Sequence, residues 1–348
     1  MKSCRTLFSG SFLTYAFSLA LSLPAHAQGQ PHTYTIKSGP KTVEWGFFDP
    51  AAKPILTVKS GDIVELDTPL AGSKEMESYG MDEYIRPEMR TLEAGVDDRS
   101  RSYGNILVGP IAVEGAEPGD VLEIRILEIK LPDNYAINVF HPGGGTLPEQ
   151  FPYVGSAVIP LDRERNVANF APGIEIPLRP FFGTMGVAPG IPVGRIGDGP
   201  PGYYAGNMDN KDLTAGTTLF VPVQTKLALF SVGDGHAGQG DGEVDGTAIE
   251  AALWGKFQFF VRKDLKFQWP RAEMADYYMT MGFDPDLNKA AANAVREMVD
   301  LLVTEHHLTP KQAYILCSLA VDLQVTEVVD GTKGIHALLP KKIFVQKQ

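Results

Sequence analysis

The chain contains 348 residues, carries a formal net charge of −11 at pH 7, and is 44% hydrophobic and 21% charged. Such a chain can bury a sizeable core as one large domain or two ordinary ones. Its negative charge and the lack of a basic run argue against a nucleic-acid partner.

The N-terminal residues are typical of an export signal. Lys2 and Arg5 precede a mostly apolar run over residues 12–23, and residues 25–27 form a small-x-small cleavage site. We therefore expect residues 1–27 to be a cleaved signal peptide, and the mature protein to be periplasmic or secreted without membrane attachment. An uncleaved anchor is the alternative, but the apolar run is short for the ~20 residues that a span requires.

Short alternating or apolar runs, split by Gly, Pro, Asp and Asn, extend from about residue 33 to 265 and predict many short strands. In "VLEIRILEI" the apolar set Leu122, Ile124 and Ile126 is expected to face inward. We predict that residues 28–270 form a β-rich catalytic body that resembles a sandwich or barrel. The polar segment at 72–100 interrupts the strand pattern and indicates a long surface excursion, either a lid or a partner contact.

The pattern becomes helical after residue 270. Residues 286–305 carry apolar side chains at helical spacing, and Thr309 is expected to cap a second helix with Pro310 in its first position. The runs "VTEVVD" and "KKIFVQ" predict closing strands. We therefore expect residues 271–348 to form a helical hairpin with closing strands packed on the body. The predicted fold class is α+β, predominantly β.

The segment "SVGDGHAGQGDGEVDGTAIE" (231–250) concentrates glycine and acidic residues around His236. The carboxylates near this histidine in the sequence are Asp209, Asp234, Asp241, Glu243 and Asp245. A neutral imidazole with carboxylates suits a divalent ion such as Zn²⁺, whereas all-oxygen ligation would suit Ca²⁺ or Mg²⁺. The spacing of an EF-hand loop is not met. A solvated acidic turn is the alternative interpretation.

Two other patterns bear on the chemistry. His141 lies in "NVFHPGGGTLPE", where the glycines, Gly144 among them, can bring backbone N–H groups close to a small ligand, although a flexible turn is the alternative. A G-x-S-x-G nucleophile motif and a P-loop are absent from the sequence. Cys317 lies in an apolar helical pattern and is expected to be an inert core thiol.

The run from 170 to 250 is similar to the acetamidase/formamidase family. The phrases that carry the resemblance are "FAPGIEIPLRPFFGTMGVAPG", "GPPGYYAGNMDNKDLTAGTTLFVPV" and "ALFSVGDGHAGQGDGEVDGTAIE", flanked by "GPIAVEGAEPGD" and "AYILCSLAVDLQVTEVVD". The resemblance implies hydrolysis of a short linear amide, formamide or acetamide, to carboxylate and ammonia. It also implies a β-rich fold and a homodimer or larger homo-oligomer.

This chain departs from the family pattern in places. Ala205 replaces the first glycine of "GGNMD", an export signal precedes the chain, and "SRSYGNILVGP" stands where members have a denser polar motif with a histidine. The pocket and its substrate can therefore differ from those of a formamidase.

The resemblance carries Asp209, His236 and Glu243 over as site residues. Since the sequence has neither a credible nucleophilic cysteine nor a serine motif, activated water is the simplest nucleophile. The hypothesis assigns the metal to Asp209 and His236, with Asp234 as a further ligand or as the partner of the other ring nitrogen of His236. It assigns general base catalysis to Glu243, with Asp241 as second choice for either role, and substrate binding to His141, Gly144 and Asn207.

Two other functions remain open at this point. One is a non-catalytic periplasmic protein that binds small amides or metal ions. The other is an amidohydrolase for a larger amide, admitted by the excursion at 72–100.

Overall fold

The computed structural model describes residues 30–96 and 104–345. The predicted signal peptide at residues 1–27 and residues 97–100 of the polar excursion lie outside the described residues. The described residues from His32 onward belong to one compact unit. Among the described residues, no helix combines the length and the hydropathy that crossing a membrane requires.

The strands follow one another along the chain with few helices between them. The first eleven are β1 (Thr33–Ile36), β2 (Val43–Trp45), β3 (Phe47–Phe48), β4 (Leu56–Val58), β5 (Ile63–Thr68), β6 (Ile106–Val113), β7 (Val121–Lys130), β8 (Tyr135–Phe140), β9 (Gly155–Asp162), β10 (Val167–Ala171) and β11 (Ile174–Pro177). The next ten are β12 (Phe181–Val187), β13 (Ile196–Gly197), β14 (Ala205–Asn207), β15 (Thr218–Pro222), β16 (Phe230–His236), β17 (Leu253–Arg262), β18 (Arg271–Glu273), β19 (Tyr277–Asp284), β20 (Asp322–Val325) and β21 (Lys333–Pro340).

The helices lie in two places, the polar excursion and the C-terminal region. They are α1 (Ser73–Ser78), α2 (Pro87–Gly95), α3 (Leu287–Thr304) and α4 (Pro310–Ala320), with short 3-10 turns at Asp82–Tyr84 and Lys341–Ile343.

Two large sheets carry the fold. A nine-stranded sheet has the order β1-β5-β17-β7-β15-β18-β19-β21-β20, and a six-stranded sheet has the order β14-β12-β16-β6-β2 with β4 beside β6. A four-stranded sheet, β11-β10-β9-β8, and the pair β13-β3 complete the architecture. The predicted α+β class, predominantly β, is confirmed.

The two large sheets bury one continuous core between them. Phe257 and Phe259 of β17 contact Phe182 of β12 and Phe230 of β16, with ring centroids 5.2 to 5.3 Å apart for the closest pairs. Leu122, Ile124 and Ile126 of β7 are buried in this core, as the alternation predicts. Glu123 on the other face of β7 is also buried, because Arg125 and Arg262 pair with its carboxylate.

The C-terminal helices form the predicted hairpin. The Asp286 side chain caps α3 by accepting from the Asn288 N–H, and Thr309 with Gln312 forms a capping box on α4. Both helices pack on the face formed by β19 and β21, which extend the nine-stranded sheet. The C-terminal segment is therefore attached to the body by continuous backbone hydrogen bonding.

The closing strands lie elsewhere than the sequence predicts. They are β20 and β21, whereas residues 326–330 form a loop and Lys341–Ile343 a 3-10 turn. The loop forms because the Glu327 carboxylate accepts hydrogen bonds from the N–H groups of Val329 and Asp330. These local bonds compete with a sheet ladder.

The polar excursion is more ordered than a surface loop. Its described part contains α1, α2 and the intervening 3-10 turn, and the buried side chains of Met76, Met81 and Met89 pack against Ile137 and Val139 of β8. It therefore forms a small helical layer packed against β8.

Gly282 of β19 supports α3 directly. An added Cβ would overlap with the Ala290 carbonyl oxygen and the Ala294 nitrogen, both of which are helix backbone. We expect Gly282→Ala to lower the free energy of unfolding by about 2–3 kcal/mol, since the helix must shift. Gly39→Ala is the control, because its Cβ would meet only Thr42 Oγ1 at 3.9 Å. Equal denaturant midpoints for the two variants would contradict this packing.

Candidate functional site

Strand β16 places two functional side chains on one face. Asp234 and His236 are two residues apart, so they project to the same side, whereas Gly233 and Gly235 take the opposite side. An added Cβ at Gly233 would overlap with the carbonyl oxygen of Ile106, and one at Gly235 would lie 2.6 Å from Leu253 Cγ. The glycines of this segment therefore let the core backbone approach closely behind the site.

A third glycine leaves the room in which the site forms. Gly183 of β12 lies beside β16, and an added Cβ would lie 2.5 Å from Asp234 Oδ2, 2.8 Å from His236 Cε1 and closer still to Asp209 Oδ1. Strand β14 pairs with β12 and leads directly into Asp209. Three side chains from two segments thus meet over a position that has no side chain.

The acidic residues at this point have unusual backbone conformations. Asp209, Asp234 and Glu243 have φ angles of 43°, 58° and 46°, in the left-handed region that few non-glycine residues adopt. Residues held there cost about 1–3 kcal/mol each and tend to occur at functional sites. The surrounding structure must fix these conformations, and with them the directions of the carboxylates.

His236 is the centre of the group. Its Nε2 lies 3.3 Å from Asp234 Oδ1 and 3.3 Å from Glu250 Oε2, and it forms an aligned hydrogen bond with neither. Its Nδ1 lies 3.0 Å from Gln239 Oε1 and 4.0 Å from Asp209 Oδ1. Two sets of potential ligand atoms therefore share this ring, one with Asp234 and Glu250 and one with Asp209 and Glu243.

The carboxylates of the group are buried and have no Lys or Arg partner among the described residues. Asp209 is 1% exposed, His236 1% and Glu243 6%. Neither Asp209 oxygen accepts a hydrogen bond from a donor among the described residues. Within the same residues, no Lys or Arg forms an ion pair with the carboxylates around His236, and the nearby Lys211 pairs instead with Asp241. Buried charges of this kind are normally paired or bound to a metal.

The crowding of negative charge shifts the ionisation of the group. Burial, and then repulsion from Glu243 and Asp234, raises the pKa of Asp209 well above its ordinary value. Burial likewise raises the pKa of Glu243. Burial lowers the pKa of His236, but attraction to Glu250 and Asp234 outweighs this effect and leaves its pKa raised. Without a bound cation, the site therefore favours taking up protons.

A cavity of about 320 Å³ lies above these groups. Its floor is acidic and is formed by Asp209, Asp234, Glu243, Glu250 and Asp330, together with Asn105 and Asn207. Its walls are largely apolar and are formed by Leu70, Ala71, Ile106, Ile137 and Val139, with Tyr79 and His141 alongside. The cavity could hold a small molecule with a polar end on the floor and an apolar end against the walls.

Most of the residues singled out in the sequence meet at this cavity. Asp209, Asp234, Glu243, Asn207 and His141 line it, and His236 lies buried among the acids. Tyr79 Oη lies 3.0 Å from His141 Nε2, so the excursion and the glycine loop meet at its edge.

Two of the singled-out residues lie outside this group. Asp241 forms an ion pair with Lys211 at 2.9 Å, and Gly144 lines a separate cavity of about 240 Å³. The turn at Gly242, with a φ of 99°, directs Asp241 away from the floor and Glu243 toward it.

Several residues of the site were not predicted from the sequence. Isolated β-bridges to Ile137 and His236 position Glu250 at the site, and Asp330 lies in the loop that follows β20. Asn207 Nδ2 donates to Asp330 Oδ2 at 2.9 Å, while Thr184 Oγ1 donates to Asn207 Oδ1 at 2.5 Å. Glu250 stands at the end of the acidic segment, which was a usable signal, whereas nothing local marks Asp330.

The comparison with known sequences identifies the family. Residues 49–195 and 198–346 match the Acetamidase/Formamidase family. The chain therefore belongs to that family, as its central phrases indicate.

Individual relatives and solved structures agree. The chain is similar to a crystal structure of acetamidase from Bacillus halodurans, with a TM-score of 0.75 and 30% identity over 89% of this chain and 98% of that one. A recombinant predicted acetamidase/formamidase from Thermoanaerobacter tengcongensis gives a TM-score of 0.76 at 29% identity, over 90% and 97% of the two chains. A formamidase from Methylophilus methylotrophus is 30% identical in an alignment of 202 positions that covers 43% of this chain and 49% of that protein. The chain spans about half the length of the curated relatives it matches.

The Asp209 carboxylate is buried and accepts no hydrogen bond among the described residues. We therefore expect its replacement to stabilise the protein, whereas most substitutions of buried residues destabilise it. In chelator-treated protein, we expect Asp209→Asn to raise the free energy of unfolding by about 1–2 kcal/mol, since it removes an acidic group whose burial raises its pKa and whose oxygens accept no hydrogen bond among the described residues. Thermal and denaturant unfolding at neutral pH measure the change.

Asp212→Asn is the matched control. Asp212 is also buried, but it pairs with Arg179 Nη2 at 2.5 Å and His336 Nε2 at 3.2 Å. This variant should lose about 1–3 kcal/mol. If both variants lose stability equally, the carboxylate of Asp209 is not the destabilising group that its surroundings indicate.

Proposed function

We propose that the protein hydrolyses primary carboxamides to carboxylate and ammonia. The observation that carries the proposal is the cluster of buried, unpaired carboxylates around His236, which forms the floor of a cavity of molecular size. The names of its relatives, acetamidase and formamidase, support a short linear amide as substrate.

We also propose that a divalent cation is the resident cofactor, with zinc favoured and calcium or magnesium as alternatives. Asp234 and His236 are its proposed ligands; Asp209, assigned to the metal from the sequence, and Glu250, whose Oε2 lies 3.3 Å from His236 Nε2, are the further candidates. The unpaired Asp209 oxygens and the unpaired Nε2 of His236 support the fit. One imidazole nitrogen with carboxylate oxygens is a donor set that zinc accepts. Such an ion would polarise the amide carbonyl and lower the pKa of a water molecule.

Glu243 is the proposed general base. It lies on the cavity floor beside Asp209 and His236, where its carboxylate can take a proton from the attacking water. Returning that proton to the amide nitrogen, as the C–N bond breaks, releases ammonia and leaves the carboxylic acid, which then ionises. Asn207 can assist, because the Asp330 carboxylate accepts one of its amide hydrogens and the other is free to donate to the substrate carbonyl.

The walls of the cavity suit the acyl part of the substrate. The cavity of about 320 Å³ is several times larger than acetamide, given that a water molecule takes about 30 Å³ in the liquid. Leu70 and Ala71, which directly precede the excursion, line this space together with Ile137 and Val139 of β8. This observation favours the second candidate function, an amidohydrolase for amides with a longer acyl chain.

We keep two further proposals from the sequence. Export through the segment at residues 1–27 would place the reaction in the periplasm or outside the cell. Assembly of the chain as a homodimer or larger homo-oligomer is expected from its family.

Ammonia release from a series of primary amides tests the reaction. We expect turnover by the wild type, with kcat/KM rising roughly fourfold for each added methylene that the walls can bury, at about 0.8 kcal/mol per methylene. Glu243→Gln should lower kcat roughly 100- to 10,000-fold, since it removes the group that moves the proton. Glu164→Gln, on an exposed turn, is the control.

Three results of that assay would contradict parts of the proposed function. A wild type that binds amides without releasing ammonia would favour a non-catalytic binding protein. A constant kcat/KM along the series would exclude the walls as the acyl site. Undiminished kcat in Glu243→Gln would remove Glu243 from the reaction.

Metal removal provides a separate test. We expect elemental analysis to find a divalent ion in the purified protein, and chelation to abolish turnover until zinc is restored. Turnover that survives complete removal of metal would exclude the cation from the reaction and favour a direct carboxylate or hydroxyl nucleophile.

A further inference from the structure

The side chain of Gln239 is held by backbone from two other segments. Its Nε2 donates to the carbonyl oxygens of Asp209 at 2.9 Å and Thr326 at 3.2 Å. Carbonyl oxygens only accept, so the atom facing them must be the amide nitrogen. The orientation of the Gln239 amide is thereby fixed, and its Oε1 faces His236.

This orientation determines which nitrogen of His236 carries a proton. Gln239 Oε1 lies 3.0 Å from His236 Nδ1 and can only accept a hydrogen bond. Nδ1 must therefore be protonated. In the neutral ring the lone pair is then on Nε2, which is the atom that suits a metal.

The surroundings of Nε2 agree with this assignment. Asp234 Oδ1 and Glu250 Oε2 each lie 3.3 Å away without forming an aligned hydrogen bond. Both carboxylate oxygens are therefore within reach of a cation bound at Nε2, and a proton on Nε2 takes that place when no metal is bound. The other potential set, with Asp209 and Glu243, has Asp209 Oδ1 4.0 Å from Nδ1, the nitrogen that Gln239 engages.

We propose that Gln239 is a positioning residue that fixes the tautomer of His236, so that a single cation binds at Nε2 with Asp234 and Glu250. The inference rests on the proposed cation. It has a consequence for the reaction, since Glu243 is then left outside the Nε2 ligand set and is free to move protons. The role is that of the hydrogen-bond partner that orients a metal-ligating histidine.

The test uses full-length protein labelled with ¹⁵N-histidine and loaded with ¹¹³Cd²⁺ as the probe. In the wild type we expect coupling between ¹¹³Cd and the His236 Nε2, together with a proton on Nδ1. Gln239→Leu removes the acceptor, and we expect it to lose the single Nδ1–H form and to bind Cd²⁺ and Zn²⁺ roughly 10- to 100-fold more weakly.

Two further variants separate positioning from a general loss of structure. Gln239→Glu keeps an acceptor opposite Nδ1 but loses the bonds donated to the Asp209 and Thr326 carbonyl oxygens, so we expect it to restore part of the Nδ1–H form that the leucine variant loses. Gln258→Leu removes a comparable hydrogen bond, to the Gly61 carbonyl in another part of the fold, and should leave the His236 signals unchanged.

The outcomes distinguish this inference from the proposed function. Coupling of ¹¹³Cd to Nδ1, absence of cadmium binding, or an unchanged tautomer and affinity in Gln239→Leu would overturn the role of Gln239. Nε2 coupling in a protein that releases no ammonia would leave that role intact and overturn the hydrolase proposal instead.

Discussion

Repulsion among buried carboxylates is the constraint around which the candidate site is arranged. Asp209, Asp234 and Glu243 lie close together, and no Lys or Arg of the described residues pairs with them. Charges without partners in a protein interior oppose folding, so the rest of the structure must hold them in place. It does so with backbone conformations that are themselves costly, since all three residues have positive φ angles.

The two large sheets supply the stability that this arrangement needs. Phe182, Phe230 and Phe257 pack behind the strands that carry the site, and glycines remove side chains wherever two backbones must approach. Gly183 leaves the space in which Asp209, Asp234 and His236 meet, while Gly235 lets the segment around Ala251 approach from behind. The glycines of this region therefore leave the space that the acidic side chains and His236 occupy.

Local sequence patterns predicted the strand faces and the positions of the C-terminal helices. Strand alternation put Leu122, Ile124 and Ile126 in the core, apolar spacing located α3, and the Thr309 cap located the start of α4. Contacts made at long range could not be predicted in this way. Asp330 reaches the floor only because residues 326–330 leave the sheet, and Gly242 pairs with Glu327 across more than eighty positions. Asp241 is close to His236 in the sequence, but the turn at Gly242 directs its side chain to Lys211 and away from the site.

The floor and the walls of the cavity come from different parts of the fold. The shape of the walls can therefore change by substitution while the floor stays the same. The floor is built on strands β14 and β16 and on the loops that follow β14, β16 and β20, where each side chain depends on neighbouring backbone. Part of the wall belongs to the excursion, which is held by a small cluster of methionines against β8. Methionine packing tolerates changes in shape better than most core contacts do. Substitutions there can reshape the apolar wall of the cavity while the hydrogen bonds around His236, which run through Gln239 to Asp209 and Thr326, stay unchanged.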